Sequence, residues 1–418
     1  MDNVCVNEKI GYQDVFGQKE YLKLLIANLI SRFGDSIDAI AFTWIVYQVT
    51  GSASWSAIIF AMNRLPSILV QPFAGAWVEG RNKKRIMVGA DLIRGVSVVM
   101  LAVLLYTNRV NVGILLMFTL IISSVEAFCL PATTAAIPKI IDMKYYEYAS
   151  SLNQSLSTVV QLAGMAAAGT IIAIFGVGAA VLVDGVTFFL SSFMITLVRI
   201  KEKDLKKEKN NSSAYFENLK DGVKYLKEQP VIRNFCLIAV AANGIIAPIN
   251  SLEGPMVKEL FGQGAEFMSI FGIALTVGVG LGALVFPMLN QKIKVRPLVV
   301  MSGIAVGAGV FLMTLGPLVQ EAYWEIFLLV VIASFLIGAG SGVLSSALNV
   351  QLMKKVEPDY LARTVAIFGA GGSAAEPVVS FLTGFLALYF SVGQIFAACA
   401  ILCVLLFLWI EIKKVRVE

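Results

Sequence analysis

Asp35 and Asp38 stand three residues apart inside an apolar run, with Arg32 one turn before them. If the run is helical, the three side chains share one face. Arg64 reaches a similar depth in the following run, counted from the opposite side. An ionised side chain surrounded by hydrocarbon is costly and needs a partner, water or a function. The chemistry open to this set is proton exchange. A carboxylate held by Arg64 in one arrangement of the helices stays ionised, and one that loses this partner when the helices part takes up a proton, which ties protonation to conformation. A permanent structural ion pair is the competing reading of the same residues.

Glu126 and Glu376 are further acids deep within apolar runs, whereas Asp184 and Glu253 fall near run ends, where a solvated acid is expected. Glu376 suits either a proton site or a partner for Arg64 or Asn349. Asp35, Asp38 and Glu126 together predict an acidic cavity that favours cations and rejects anions. Phe42, Met62, Phe128 and Phe271 are candidates for its apolar wall, drawn from a supply of 26 Phe and 14 Met. Aromatic and thioether side chains repack around varied ligands.

The chain contains no histidine, which removes Ser-His-Asp triads and H-E-x-x-H zinc sites. Its five cysteines, Cys5, Cys129, Cys236, Cys399 and Cys403, are odd in number, and all but the first lie in apolar runs, so no disulfide framework is expected. Cys399 and Cys403 share a helical face but have no His or carboxylate companion for a metal. The glycine-rich runs 338–342 and 369–372 lack the Lys-Ser/Thr that follows a phosphate loop, and close helix packing is their better reading. No enzymatic activity, metal or cofactor is expected.

The elements that must position these residues follow from composition. Of 418 residues, 58% are hydrophobic and 15% charged, and the mean hydropathy is +0.79. A soluble core could not bury this excess, so a bilayer must solvate the remainder. Apolar runs give twelve expected spans at 22–48, 53–78, 86–106, 111–133, 150–175, 178–198, 232–257, 266–289, 297–316, 324–350, 363–389 and 393–412. A lysine-rich polar segment divides them six and six. The expected domains are an N-terminal half over 1–198, a basic linker over 199–230 and a C-terminal half over 231–418.

Almost all of the 33 Lys and Arg fall in segments that face the cytoplasm if both termini are inside, and the outer loops carry only Arg109 and Lys258. That asymmetry predicts cytoplasmic termini. The net charge of +5 is then a topology signal and not a nucleic-acid footprint. Residues 1–20 are polar and mixed in charge, so no cleaved signal peptide is expected. A faint repeat at an offset of 215 residues pairs Gly169 with Gly384, Phe175 with Phe390 and Gly178 with Gly393, equating the fifth span with the eleventh.

The turn after the second span reads Gly75-Ala-Trp-Val-Glu79-Gly-Arg81-Asn-Lys83-Lys84-Arg85, with Asp91 following. Glycine admits a neighbouring helix, the acid can face a helix N-terminus, and the cations hold the loop inside. This segment resembles the signature of the major facilitator superfamily. With Thr50-Gly51-Ser52, Phe128, Pro131-Ala132, the stretch Glu357-Pro-Asp-Tyr-Leu-Ala-Arg363, Pro377 and Gly384, it looks like the drug:proton antiporter branch that includes macrolide efflux proteins. The resemblance implies an all-α membrane protein of twelve transmembrane helices in two pseudo-symmetric six-helix halves, the major facilitator fold. It implies a conformational role for Gly75, Glu79, Arg81, Lys84, Arg85 and Asp91. It also implies a cavity lined by the first, fourth, seventh and tenth helices, in which Glu126 meets a cationic or polar substrate. The pattern is departed from at Glu79, where Asp is usual, and at Gly80, where a basic residue is usual. Ile122 stands where many proton-coupled relatives carry Arg, and Gly164 in the fifth span has no companion proline.

The implied activity is multidrug efflux: export of hydrophobic or amphiphilic, in part cationic, small molecules by alternating access, in exchange for protons. The proton gradient is the energy source, and the expected partners are the substrate and membrane lipids, with no nucleic acid. A monomer in a bacterial plasma membrane is the expected setting. Export of a specific metabolite or siderophore, or lipid flipping, is the nearest alternative. A receptor or enzyme on the same scaffold is disfavoured by the short outer loops and the lack of a nucleophile–base pair.

Overall fold

In the computed structural model of the protein, the described residues are 12–79, 81–200, 229–319, 321–356 and 358–415, and they contain no β-strand. The first expected span is α1 (Lys19–Thr50), and the second is split into α2 (Ala53–Leu69) and α3 (Gln71–Glu79). The third to sixth are α4 (Lys83–Tyr106), α5 (Val112–Ile140), α6 (Tyr146–Phe175) and α7 (Val177–Thr196). The seventh to twelfth are α8 (Pro230–Ser251), α9 (Glu266–Lys292), α10 (Val295–Met313), α11 (Tyr323–Lys355), α12 (Pro358–Leu386) and α13 (Val392–Ile412). Among the described residues, nine helices, α4 to α11 and α13, are long and apolar enough to cross a membrane. The remaining expected spans, α1, the α2–α3 pair and α12, are those that carry Asp35, Asp38, Arg64 and Glu376. Most of the expected linker, 201–228, lies outside the described residues.

Local chemistry ends the helices. Gly51 closes α1 in the left-handed conformation, φ +59°, and gives its N–H to Tyr47 O, a backbone that a Cβ disfavours. Ser52 then caps α2 by accepting from Trp55 N. Asn82 and Asn111 cap α4 and α5 in the same way. Pro72 has no N–H for the carbonyl one turn back, and the second span breaks at Val70. α5 runs to Ile140 and α11 to Lys355, beyond the expected ends at 133 and 350. Helical hydrogen bonding does not stop at the edge of the hydrocarbon, whereas an apolar-run count does.

α1, α4, α5, α6 and α7 pack in one group; α9, α10, α11 and α13 pack in another, with α8 against α12. Gly338 and Gly342 of α11 back onto the Leu275 and Val279 carbonyls of α9, while Gly278 and Gly282 of α9 meet Phe335 and Ala339 of α11. The glycine run 338–342 therefore serves close packing.

Across the groups, α12 lies against α2 and α9 against α6, and these two contacts repeat one another. A Cβ on Gly384 would lie 2.8 Å from Ile58 Cγ1 and 3.1 Å from Ser54 O. A Cβ on Gly169 would lie 2.6 Å from Ser269 Oγ and 3.1 Å from Glu266 Cα. Gly169 and Gly384 are 215 residues apart, and so are Ser54 and Ser269. The offset that equates the fifth span with the eleventh thus also relates the second to the eighth. Both contacts lie toward the end bearing the Thr50–Ser52 turn, the distal end, as does the bond from Tyr47 Oη to Glu259 Oε1 at 3.0 Å.

Candidate functional site

The site is built on a close approach of α1 and α7. A Cβ at Gly34 would collide with Thr187 Oγ1 and Asp184 Oδ1, so glycine is what lets Asp184 sit directly behind Asp35. From α4 comes Arg94, whose Nη2 lies 2.7 Å from Asp35 Oδ1 and 4.0 Å from Glu126 Oε2 on α5. Its guanidinium stacks 4.1 Å from the centre of the Phe188 ring, which covers the cation with a π face. Arg94 is buried, and its Nε finds no hydrogen-bond partner among the described residues. One turn earlier on α4, buried Asp91 accepts from Ser191 Oγ at 2.7 Å.

Asp35, Asp38, Arg94 and Glu126 line a cavity of about 240 Å³, with Arg32, Phe42, Thr43, Asn63, Arg64 and Ser251. Three carboxylates and three arginines face it, so it is charge-balanced and not the acidic cavity expected. Of the two partnerships expected for Arg64, that with a carboxylate of α1 is not made and that with Glu376 is. Asp35 pairs with Arg94, while α2 packs on α12 and turns Arg64 to Glu376, Nε to Oε2 3.5 Å. Glu376 also accepts from Asn250 Nδ2 at 3.0 Å. Asn349, the other expected companion, donates to Ser345 on its own helix. Asp184, expected to be solvated, is 1% exposed, because α1 closes over it.

Among the expected wall residues, Phe42 lines the cavity. Met62 is half-buried outside its lining. Phe128 points one turn away and packs edge-on against Trp77, ring centres 5.4 Å apart. Phe271 is buried in the core. Arg94 is the residue the sequence reading overlooked. Its depth inside an apolar run is the signal that could have found it, since the cost argued for Asp35 applies equally to a buried guanidinium.

A second cavity of about 280 Å³ lies between α8, α11 and α12, lined by Asn243, Ser341, Ser345, Phe368, Ser373 and Glu376 among others. Arg64 faces the first cavity and Glu376 the second, so their ion pair stands between the two.

The loop signature ties α4 to α7. Lys84 Nζ donates to Thr196 O at 2.6 Å, at the helix end where carbonyls carry partial negative charge. Asp91 makes the Ser191 bond, and Arg81 stacks 3.8 Å from the Trp77 ring centre. Arg85 is exposed, its backbone N–H bonded to the Asn82 cap. Gly75 has nothing within 4 Å of an added Cβ, so the close helix approach expected there is not made. The Glu79 side chain and those of Glu357 to Arg363 lie outside the described residues.

The chain is 24% identical over 376 residues to the multidrug efflux pump Tap of Mycolicibacterium fortuitum, with 88% of each chain covered. It is 22% identical over 349 residues to macrolide efflux protein A of Streptococcus pyogenes, with 84% of each covered. Its fold is similar to the crystal structure of the nucleoside transporter NupG, with a TM-score of 0.76 at 12% identity over 94% of this chain and 99% of that one. The helices described above thus form the major facilitator fold. The sequence profile of the transmembrane secretion effector family matches residues 14–418, nearly the whole length, and the protein belongs to this family of multi-pass transporters of the major facilitator superfamily.

Proposed function

We propose that the protein exports hydrophobic or amphiphilic small molecules across a bacterial plasma membrane in exchange for protons. The observation that carries this reading is the Arg94–Asp35 ion pair, 2.7 Å long and set in the wall of a cavity that both halves line, Ser251 coming from the second. The moving bodies are the two six-helix halves, 1–198 and 231–418, joined by the linker 199–230, and they rock about the cavity. Relatives named for multidrug and macrolide efflux support the substrate class and direction. The cross-group contacts lie toward the distal end, which suits a state closed outside and loaded from the cytoplasm, with both termini inside.

In this cycle Arg94 holds Asp35 ionised while substrate enters. Asp38 and Glu126 share the cavity, so a cationic substrate drawn toward Glu126 competes with the Arg94 guanidinium for that carboxylate. When the halves rock and the cavity opens to the far side, a proton taken up there neutralises Asp35, and Arg94 turns to Glu126, 4.0 Å away within the same half. Release of that proton to the cytoplasm restores the pair.

The test is ethidium or macrolide accumulation in inverted vesicles with and without an imposed pH gradient. Gradient-dependent accumulation is expected. Accumulation unchanged when the gradient is collapsed removes proton exchange from the account.

A further inference from the structure

Among the described residues, Glu376 is the sole charged one lining the second cavity, beside the amide and hydroxyl groups of Asn243, Ser345 and Ser373 and the apolar wall of Phe368. Ser341 Oγ is buried in that lining with no hydrogen-bond partner among the described residues. The carboxylate is engaged on one oxygen by Asn250 and on the other by Arg64, but the two bonds differ. The Asn250 contact is 3.0 Å, whereas Arg64 reaches Oε2 through Nε alone at 3.5 Å, with nearly half of its side chain exposed. A paired, two-pronged Arg–carboxylate contact is the strong geometry, and this is not one. Arg64 belongs to α2 and Glu376 to α12, and the guanidinium already rests 5.2 Å from the Phe60 ring centre on its own helix. It therefore has a place to go when it leaves the acid.

We infer that the second cavity binds the cationic group of an amphiphilic substrate, with Glu376 as counter-ion and Arg64 as the resident cation that the substrate displaces. The neighbouring amide and hydroxyl oxygens accept any N–H bonds the cation offers, and the apolar wall takes the hydrocarbon body. Arg64 moves onto Phe60 and toward the first cavity, so occupation of one compartment alters the charge of the other. The inference rests on the transporter reading above, but not on proton exchange or on the direction of transport.

Equilibrium binding to the purified full-length protein, with no membrane gradient, tests it. The probes are ethidium, a cation, and N-phenyl-1-naphthylamine, neutral at pH 7, both read by fluorescence. Arg64→Gln removes the competitor and should tighten ethidium binding about 10-fold, while Glu376→Gln should weaken it about 10-fold, and neither should shift the neutral dye by more than about 2-fold. A purely structural ion pair would move both variants in the same direction and both dyes alike, and that result overturns the proposal. So does failure of the unaltered protein to bind ethidium, which leaves gradient-driven export of neutral compounds untouched. If Glu376→Gln does not fold, Arg64→Gln is read in a Glu126→Gln background, which removes the first cavity's acid for the cation: a rise in ethidium affinity supports displacement, and a fall or no change refutes it.

Discussion

Two arginines meet acids here in opposite circumstances. The Arg94 side chain is 7% exposed and 2.7 Å from its carboxylate, and that of Arg64 is 48% exposed and 3.5 Å from its own. Removing one partner of a buried pair strands the other, a loss of about 3 kcal/mol or somewhat less because Asp35 still reaches water. An exposed pair contributes about 0–1 kcal/mol. Arg94→Ala should therefore lower unfolding stability in detergent far more than Arg64→Ala, and Asp35→Asn should recover part of the Arg94→Ala loss. Equal losses for the two arginines would contradict the burial argument. Asp35→Asn by itself should abolish gradient-driven efflux yet leave substrate counterflow without a gradient; normal gradient-driven efflux would show this acid to be structural only. At this scale the sequence exposes charges in apolar surroundings, which is why Asp35, Asp38, Arg64 and Glu376 stand out. It does not say which charge faces which: it offered Arg64 to the acids of α1 and to Glu376 alike, and the packing of α2 on α12 selects Glu376.

Helices tell glycines apart by what surrounds them. Gly34 is pressed on α7, where a Cβ would strike Asp184 and Thr187, while Gly89, inside α4, has nothing within 4 Å of an added Cβ. Gly34→Ala should destabilise by about 1–3 kcal/mol through overpacking, and Gly89→Ala should stabilise by about 0.5–1 kcal/mol through helix propensity. The opposite signs are read by thermal unfolding of each variant in detergent, and a shared sign would show that surroundings do not decide. The existence of the helices was legible because an apolar run must satisfy its own backbone in hydrocarbon. The extension of α11 to Lys355 and the break at Val70 were not, since the first carries Gln351, Lys354 and Lys355 and the second turns on a single proline.

For the whole molecule, the informative contacts are those of Gly169 with Ser269 and Gly384 with Ser54. Enlarging either glycine should wedge the distal end apart. Gly169→Val and Gly384→Val should each raise the labelling, from the distal side, of a cysteine introduced near the cavity, and the double variant should raise it further; unchanged labelling in all of them would mean this end is held closed by other contacts. The repeat at 215 residues made half of this relation legible, equating two spans from a few identities. The serines that complete it could not be selected from the sequence, where serine is common and only proximity marks the pair. Their arrangement follows the rule of an isologous dimer, in which a patch on one copy meets a second patch on the other and receives the reciprocal contact in return. A single polypeptide here encloses an interface of isologous form between two unlike halves, so a change made at one of its ends is only half of a symmetric change.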